Sequence, residues 1–283
     1  LVFKQIKLYF LKKIKVLMAL KKNISFFFLF LFLFPLIQAQ IKNPYVCAKK
    51  KDAIIYAIGS ASLGLGYYLG IKTPSLKIEE IQLLDKNSIN RFDRIATSYS
   101  SSWARKGSDV FFYGAMALPS LFVFSKRMRG NANSIAIIYG ETLFLTVGIT
   151  AITKKTVLRS RPFVYNSSFD INDKTGKNAR YSFFSGHTSV VSASSFFTAK
   201  VFADYCPDSK WKSIVWGAAA TLPAITGYLR VRAGKHYPTD VIIGYAVGSA
   251  IGILVPQIHK RKKRNENIQL SINPTGGYLG VRF

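Results

Sequence analysis

Histidine, cysteine and acidic residues are all scarce in this 283-residue chain. There are 3 His and 2 Cys, and 13 Asp and Glu stand against 40 Lys and Arg. Cys47 and Cys206 are too few for a disulfide scaffold or a thiolate metal cage, and their pairing is left open. Charge of either sign is also thin overall, at 19% of residues. What is plentiful is apolar: 49% of the chain is hydrophobic and 14% aromatic, with a mean hydropathy of +0.17. That is not the composition of a disordered chain. A formal charge of +27 points to nucleic acid or a membrane surface. The apolar content favours the membrane, and no nucleic-acid recognition motif accompanies the charge.

The amino end has the grammar of a targeting segment. Its first Met is Met18, followed by Lys21 and Lys22, an apolar run over 24–37, and Gln38-Ala39-Gln40. A basic start, an apolar run too short for a span of about 20 residues, and a small residue before a cut read as a signal peptide within 1–39. An uncleaved anchor helix is the alternative.

Six nearly uncharged runs follow, at 53–71, 110–125, 132–153, 187–203, 213–229 and 241–257. Their length and their lack of a charged face predict an all-α fold, a bundle of about six core helices of transmembrane type. A soluble helical bundle is the alternative. Gly244, Gly248 and Gly252 form a small-residue stripe suited to close helix contact in lipid. Between the first two runs, Ile78, Ile81, Leu84, Ile89 and Phe92 recur at helical spacing, predicting an amphipathic helix that lies on the membrane or caps the bundle. Trp103 is a candidate interface anchor. Past the core, Ile268, Leu270 and Ile272 alternate with polar residues before turn chemistry at 273–277, which reads as a short β-hairpin or a tail. The expected organisation is 1–39 upstream and signal segment, 40–107 first apolar helix and interfacial segment, 108–257 helical core, and 258–283 basic stretch and tail.

Three clusters sit at the ends of these runs. Lys154, Lys155, Arg159, Arg161 and Pro162 follow the third. Ser185-Gly186-His187 opens the fourth. Arg230, Arg232, Lys235, His236, Pro238 and Asp240 join the fifth to the sixth. In simple up-and-down order all three fall on one side of the bundle. Lys154, Arg161 and Arg230 are fixed positive charges, Ser185 offers a hydroxyl, and Gly186 offers a backbone N–H at a helix start. Together they describe a site for a multiply charged oxyanion, phosphate above all. Two of the three histidines lie here. Asp240 is placed to accept from one nitrogen of His236 and leave the other as nucleophile, and His187 to protonate a leaving oxygen.

Lys154-x6-Arg161-Pro162, Ser185-Gly186-His187 and Arg230-x5-His236-x3-Asp240 together resemble the type 2 phosphatidic acid phosphatase superfamily, which holds membrane lipid phosphatases, periplasmic acid phosphatases and vanadium haloperoxidases. The resemblance covers roughly residues 105–256. It implies His236 as nucleophile forming a phosphohistidine, Asp240 orienting it, and His187 as general acid. It further implies Lys154, Arg161, Ser185, Gly186 and Arg230 as holders of the phosphoryl oxygens, with no metal and no cofactor. Two positions depart from the family pattern: Phe184 stands where Pro is usual, and Leu229 where Ser is usual. The expected substrate is a lipid phosphate or diphosphate, such as a polyprenyl diphosphate, phosphatidic acid, phosphatidylglycerol phosphate or a lipid A phosphate. A soluble broad-specificity acid phosphatase, a vanadium haloperoxidase and a non-catalytic lipid-phosphate-binding protein are the rivals. The expected partners are the substrate and the membrane, with oligomeric state open.

The other basic residues of the clusters, Lys155, Arg159, Arg232 and Lys235, read as interfacial anchors. His259 reads as solvated charge. Glu141, inside an apolar run, reads equally as functional or as paired with a buried polar group. Basic residues at 126–129 and 260–264 belong in the cytoplasm by the positive-inside rule, which faces the site to the periplasm of a bacterial inner membrane. Lys49, Lys50 and Lys51 before the first run conflict with a cleaved signal if that run crosses.

Overall fold

The computed structural model describes residues 43–261 and the backbone of 268–273 and 276–281, so the expected signal segment lies outside the described residues. Five of the six apolar runs each form the body of one long helix, and the second supplies the end of another. These are α1 (Lys49–Lys72), α2 (Ser102–Ala117), α3 (Ala132–Val157), α4 (Gly186–Tyr205), α5 (Lys212–Arg232) and α6 (Pro238–His259). The second run straddles a boundary, since α2 gives way at Pro119 to a 3₁₀ segment, Leu118–Phe124.

The helices alternate in direction. α1 lies parallel to α3: Gly59, Gly66 and Gly70 face Phe144, Ala151 and Lys155 in turn. The junctions α1/α2, α3/α4 and α5/α6 therefore share one end of the bundle. α4 is the central helix and touches α2, α3, α5 and α6.

Among the described residues, five segments are long and apolar enough to cross a membrane, and α4 is not one of them. All six predicted core helices are present, and α4 differs from the other five in polarity. The reason is in its sequence: Ser189, Ser192, Ser194 and Ser195 are all buried and hydrogen-bonded inside the bundle. A helix walled off by four others can be polar, whereas the outer helices show lipid-compatible side chains such as Ile54, Leu65, Val110 and Leu254.

The glycine stripe of α6 is the contact with α4. A Cβ on Gly248 would come within 2.1 Å of the Ser189 carbonyl oxygen, and one on Gly252 within 2.4 Å of that of Ala193. The predicted amphipathic helix is instead several short turns: Ile78–Gln82, Lys86–Ser88, Arg91–Arg94 and Ile95–Ser98. Asp85 accepts from the Asn87 N–H and Asn90 from the Asp93 N–H, so each side chain starts a new turn and interrupts the old one. The segment caps the bundle end, with Ile89 and Ala96 packed under Tyr237. Trp103 is 65% exposed, as an interface anchor would be.

In the tail, the backbone of Ile268–Asn273 runs antiparallel to Gly276–Val281. Its side chains lie outside the described residues, so the expected hairpin draws no support from packing and is not counted in the fold.

Candidate active site

Eight residues singled out in the sequence lie at the end where α3, α5 and the α4 and α6 starts meet. Lys154 is in the last turn of α3, and its Nζ donates to the carbonyls of Tyr181 (2.9 Å) and Ser182 (3.4 Å). Arg161 follows in the loop, buried, with Nη2 on Asn178 Oδ1 at 2.9 Å. Arg230, in the last turn of α5, is buried and donates to Ser108 Oγ at 3.2 Å. Nε of Arg161 and Nε of Arg230 are buried and find no hydrogen-bond acceptor among the described residues.

Ser185 is the N-cap of α4. Its Oγ accepts from the Thr188 N–H at 3.4 Å, and its N–H donates to the Asp240 carbonyl at 3.0 Å. Gly186 is the first residue of α4, beside Lys154. His187 stacks at 4.6 Å on Phe112, and its Nε2 is 2.9 Å from Asp109 Oδ1.

The turn before α6 carries the centre of the site. Gly234 has φ +64, and a Cβ there would meet the Tyr99 carbonyl at 2.3 Å, so this turn needs glycine. His236 is 1% exposed. Its Nδ1 faces Asp240 Oδ2 at 3.6 Å, too long for a hydrogen bond, and has no other partner among the described residues. Burial first, and then the charges of Lys154, Arg161, Arg230 and His187, push the His236 imidazole well below its usual value. The side chain is thus held neutral, with its lone pair free, among several cations.

Asp240 is committed elsewhere. Oδ2 accepts from Ser182 Oγ (2.6 Å) and from the Tyr237 N–H (2.9 Å), and Oδ1 accepts from Arg159 (2.6 Å). It is a helix cap and an ion-pair partner as well as a neighbour of His236. Arg159 also reaches Asp93 at 2.7 Å. Asp93 is fully buried and accepts from Thr239 and Asn90. Burial alone would raise its pKa, but the hydrogen bonds from Thr239 and Arg159 outweigh that and hold it below the usual carboxylate range. Arg159 is therefore not an interfacial anchor. Its cation neutralises two carboxylates that share no sequence motif with it.

Lys155, Arg159, Arg232 and Lys235 each lie over an aromatic ring: Tyr181, Tyr237, Tyr99 and Phe163 respectively. The two family departures are also placed. Leu229 packs with Ala104, Ala233 and Phe111 at the α2–α5 contact, and Phe184 is buried. The Leu229 side chain serves helix packing.

The sequence pattern does not single out Asp109, Ser108, Asn178 or Ser182. Asp109 had one signal: it is among the 13 acids, at the α2 end that the up-and-down order puts beside the clusters. Cys47 and Cys206 are free thiols. A groove of about 490 Å³ runs between α1 and α3, lined by Leu63, Tyr67, Ile71, Ala151, Lys155 and Tyr181. The backbone carbonyl of Tyr181, at one side of the groove, also accepts from Lys154.

Residues 135–264 match the PAP2 superfamily. The match contains all eight residues and agrees with the family read from the three clusters. The chain is 32% identical over 168 residues to a lipid A 1-phosphatase of Rhizobium johnstonii, covering 57% of this chain and 64% of that protein. It is 24% identical over 190 residues to an undecaprenyl-diphosphatase of Sulfolobus acidocaldarius, covering 67% and 81%. The chain thus spans a little under two thirds of the length of the first relative. A solved transmembrane PAP2-type phosphatidylglycerolphosphate phosphatase from Bacillus subtilis superposes with a TM-score of 0.37 at 18% identity, covering 74% of this chain and 92% of that one.

Proposed function

We propose that the PAP2 core hydrolyses a phosphate monoester or diphosphate of a membrane lipid through a phosphohistidine at His236. The observation that carries this is the convergence on His236 of Lys154, Arg161 and Arg230, two of them with buried Nε donors that have no acceptor among the described residues. Buried guanidinium donors without a partner are costly unless an oxyanion takes them.

Phosphoryl transfer then needs little more than position and charge. Nε2 of His236, the nitrogen away from Asp240, attacks phosphorus, and the P–O bond to the leaving group breaks. The leaving oxygen takes its proton from His187. Water next attacks the phosphohistidine and gives its proton back to His187. The P–N bond breaks, and inorganic phosphate and neutral His236 return. Lys154, Arg161 and Arg230 hold the phosphoryl oxygens with the N–H groups at the Ser185-Gly186 helix start.

His187 must carry a proton. Burial and Arg230 push it down to about 4, against an upward pull from Asp109. An anionic phosphoryl group beside Arg230 offsets that push. Asp109 is accordingly a positioning residue for His187. Asp109→Asn removes the upward pull, so the protonated form is lost at lower pH. The expected result is kcat down about 10–100-fold, of the order of one proton-transfer contribution, with the alkaline limb of the kcat profile moved to lower pH and partial rescue by Asp109→Glu. An unmoved limb would refute this role.

The lipid part of the reading is supported by the five apolar segments, the groove between α1 and α3, and the names of the relatives. Phosphate release from a lipid A phosphate, a polyprenyl diphosphate, phosphatidic acid and a soluble aryl phosphate tests it. At least one lipid should exceed the aryl phosphate about tenfold in kcat/KM. Equal rates would leave a general acid phosphatase, and no release from any would sink the phosphatase.

The site faces away from the cytoplasm in this reading. The parallel pairing of α1 with α3 puts Lys49, Lys50 and Lys51 at the same end as Lys126, Arg127, Arg129, Lys260 and Arg261, opposite the site. Many cations of the opposite end are taken up by the site or by acids, as in Arg159–Asp93 and Arg180–Glu80. An α1 entering from the basic end fits an uncleaved amino segment better than a cleaved one. A membrane-impermeant thiol reagent on intact cells should label a cysteine at Lys86 and spare one at Lys126. The reverse pattern would invert the orientation.

A further inference from the structure

At the end of the bundle opposite the active site, α1, α3 and α6 bring together Asp52, Glu141 and His259. His259 is 1% exposed, which corrects its reading as solvated charge. Glu141 is fully buried in the described structure, and neither of its carboxylate oxygens finds a hydrogen-bond donor. His259 Nε2 lies 3.2 Å from its Oε2. The same Nε2 is 3.1 Å from Asp52 Oδ1.

The other ring nitrogen decides what this means. His259 Nδ1 lies 2.9 Å from the Val255 carbonyl oxygen, which can only accept, so Nδ1 carries the proton. In the neutral imidazole Nε2 then turns a lone pair on two carboxylates. Lone pairs so arranged need a proton or a metal ion between them. A backbone carbonyl on the far nitrogen is also how metal-binding histidines are held.

We propose that Asp52, Glu141 and His259 bind one divalent cation of zinc's class, which ties α1 and α6 to α3. Three features carry it. The three donor atoms lie within 4.8 Å of one another. The two edges from Nε2, 3.1 and 3.2 Å, are near the edge of about 3.3 Å that a tetrahedron of zinc–ligand bonds about 2.0–2.1 Å long requires. Two carboxylates and a neutral imidazole sum to a charge that a divalent ion cancels, which matters where the groups are buried. Nitrogen and oxygen donors suit zinc, and cobalt or manganese as substitutes. Asp52, partly exposed, leaves a way in. This site does no chemistry on phosphate and stands apart from the proposed function.

The protein is purified in detergent without a metal-affinity step, and its metal is counted by inductively coupled plasma mass spectrometry. About one zinc per chain is expected in the wild type and in His236→Ala, and below about 0.1 in Glu141→Gln and in His259→Gln. Chelator should lower the wild-type Tm and leave that of His259→Gln unchanged. Where the variants fail to fold, cobalt added to chelated wild-type protein keeps the test open: it should restore Tm and give the intense visible absorption of a tetrahedral site. If zinc, manganese and cobalt neither bind nor change Tm, a shared proton and not a metal ion joins the three groups and the proposal is overturned. Loss of phosphate release in His236→Ala with zinc retained separates failure at one site from failure at the other.

Discussion

His236→Ala stops phosphate release, lowering kcat by at least about 10³-fold, while the protein keeps its fold. The size follows from the role: without a nucleophile only charge stabilisation and binding remain. The fold survives because the imidazole makes no hydrogen bond through Nδ1 and is held neutral, so removing it strands no charge. The same burial sets the pH dependence. A nucleophilic imidazole works when unprotonated, and a depressed folded-state value keeps it so as pH falls through about 6.5, the ordinary histidine value. The acid limb of kcat/KM should lie below that. Linkage gives stability the same sign: the unfolded histidine takes up a proton that the folded one refuses, so this contribution is lost as pH falls below the unfolded value. Full activity in His236→Ala would remove the nucleophile from the account.

Arg159→Met unfolds or severely destabilises the protein, by about 3 kcal/mol, the order expected when a buried ion pair loses one partner. Asp93 and Asp240 are both fully buried, and Arg159 is the cation that reaches both. Met keeps the apolar length and the contact with Tyr237 but strands two carboxylates. Asp240 also caps α6 and neighbours His236, so any folded fraction should lose kcat as well. Arg159→Lys should fare between the two, since one ammonium cannot fork to two carboxylates. Chemical denaturation in detergent reads the stability. A change within about 0.5 kcal/mol would mean the network is slack.

Much of this was legible in the sequence because its signals were local or topological. Five of the six apolar runs lie each within one helix, since their breaks are made by nearby residues such as Gly234 and Pro238. The gathering of Lys154, Ser185 and Arg230 at one end follows from alternating direction alone. The interfacial segment misled because apolar spacing over 78–92 says nothing of Asp85 and Asn90, whose side chains restart the turns. α4 departs from the other five because burial by neighbours lets a serine-rich helix sit where lipid would forbid one. Asp93–Arg159–Asp240 and Asp52–Glu141–His259 were out of reach, because each joins residues many tens of positions apart with no common spacing. Asp240 shows the limit most finely. Its place beside His236 was readable, but its use by Ser182, Tyr237 and Arg159 was not.

The most direct measurement is to trap the intermediate. Purified protein is mixed with a ³²P-labelled lipid phosphate, quenched with alkali within a turnover, and mapped by mass spectrometry. The account predicts acid-labile, alkali-stable phosphate on the peptide carrying His236, absent in His236→Ala. Turnover with the label on another residue, or with no phosphoenzyme under conditions that trap a known phosphohistidine, would contradict it.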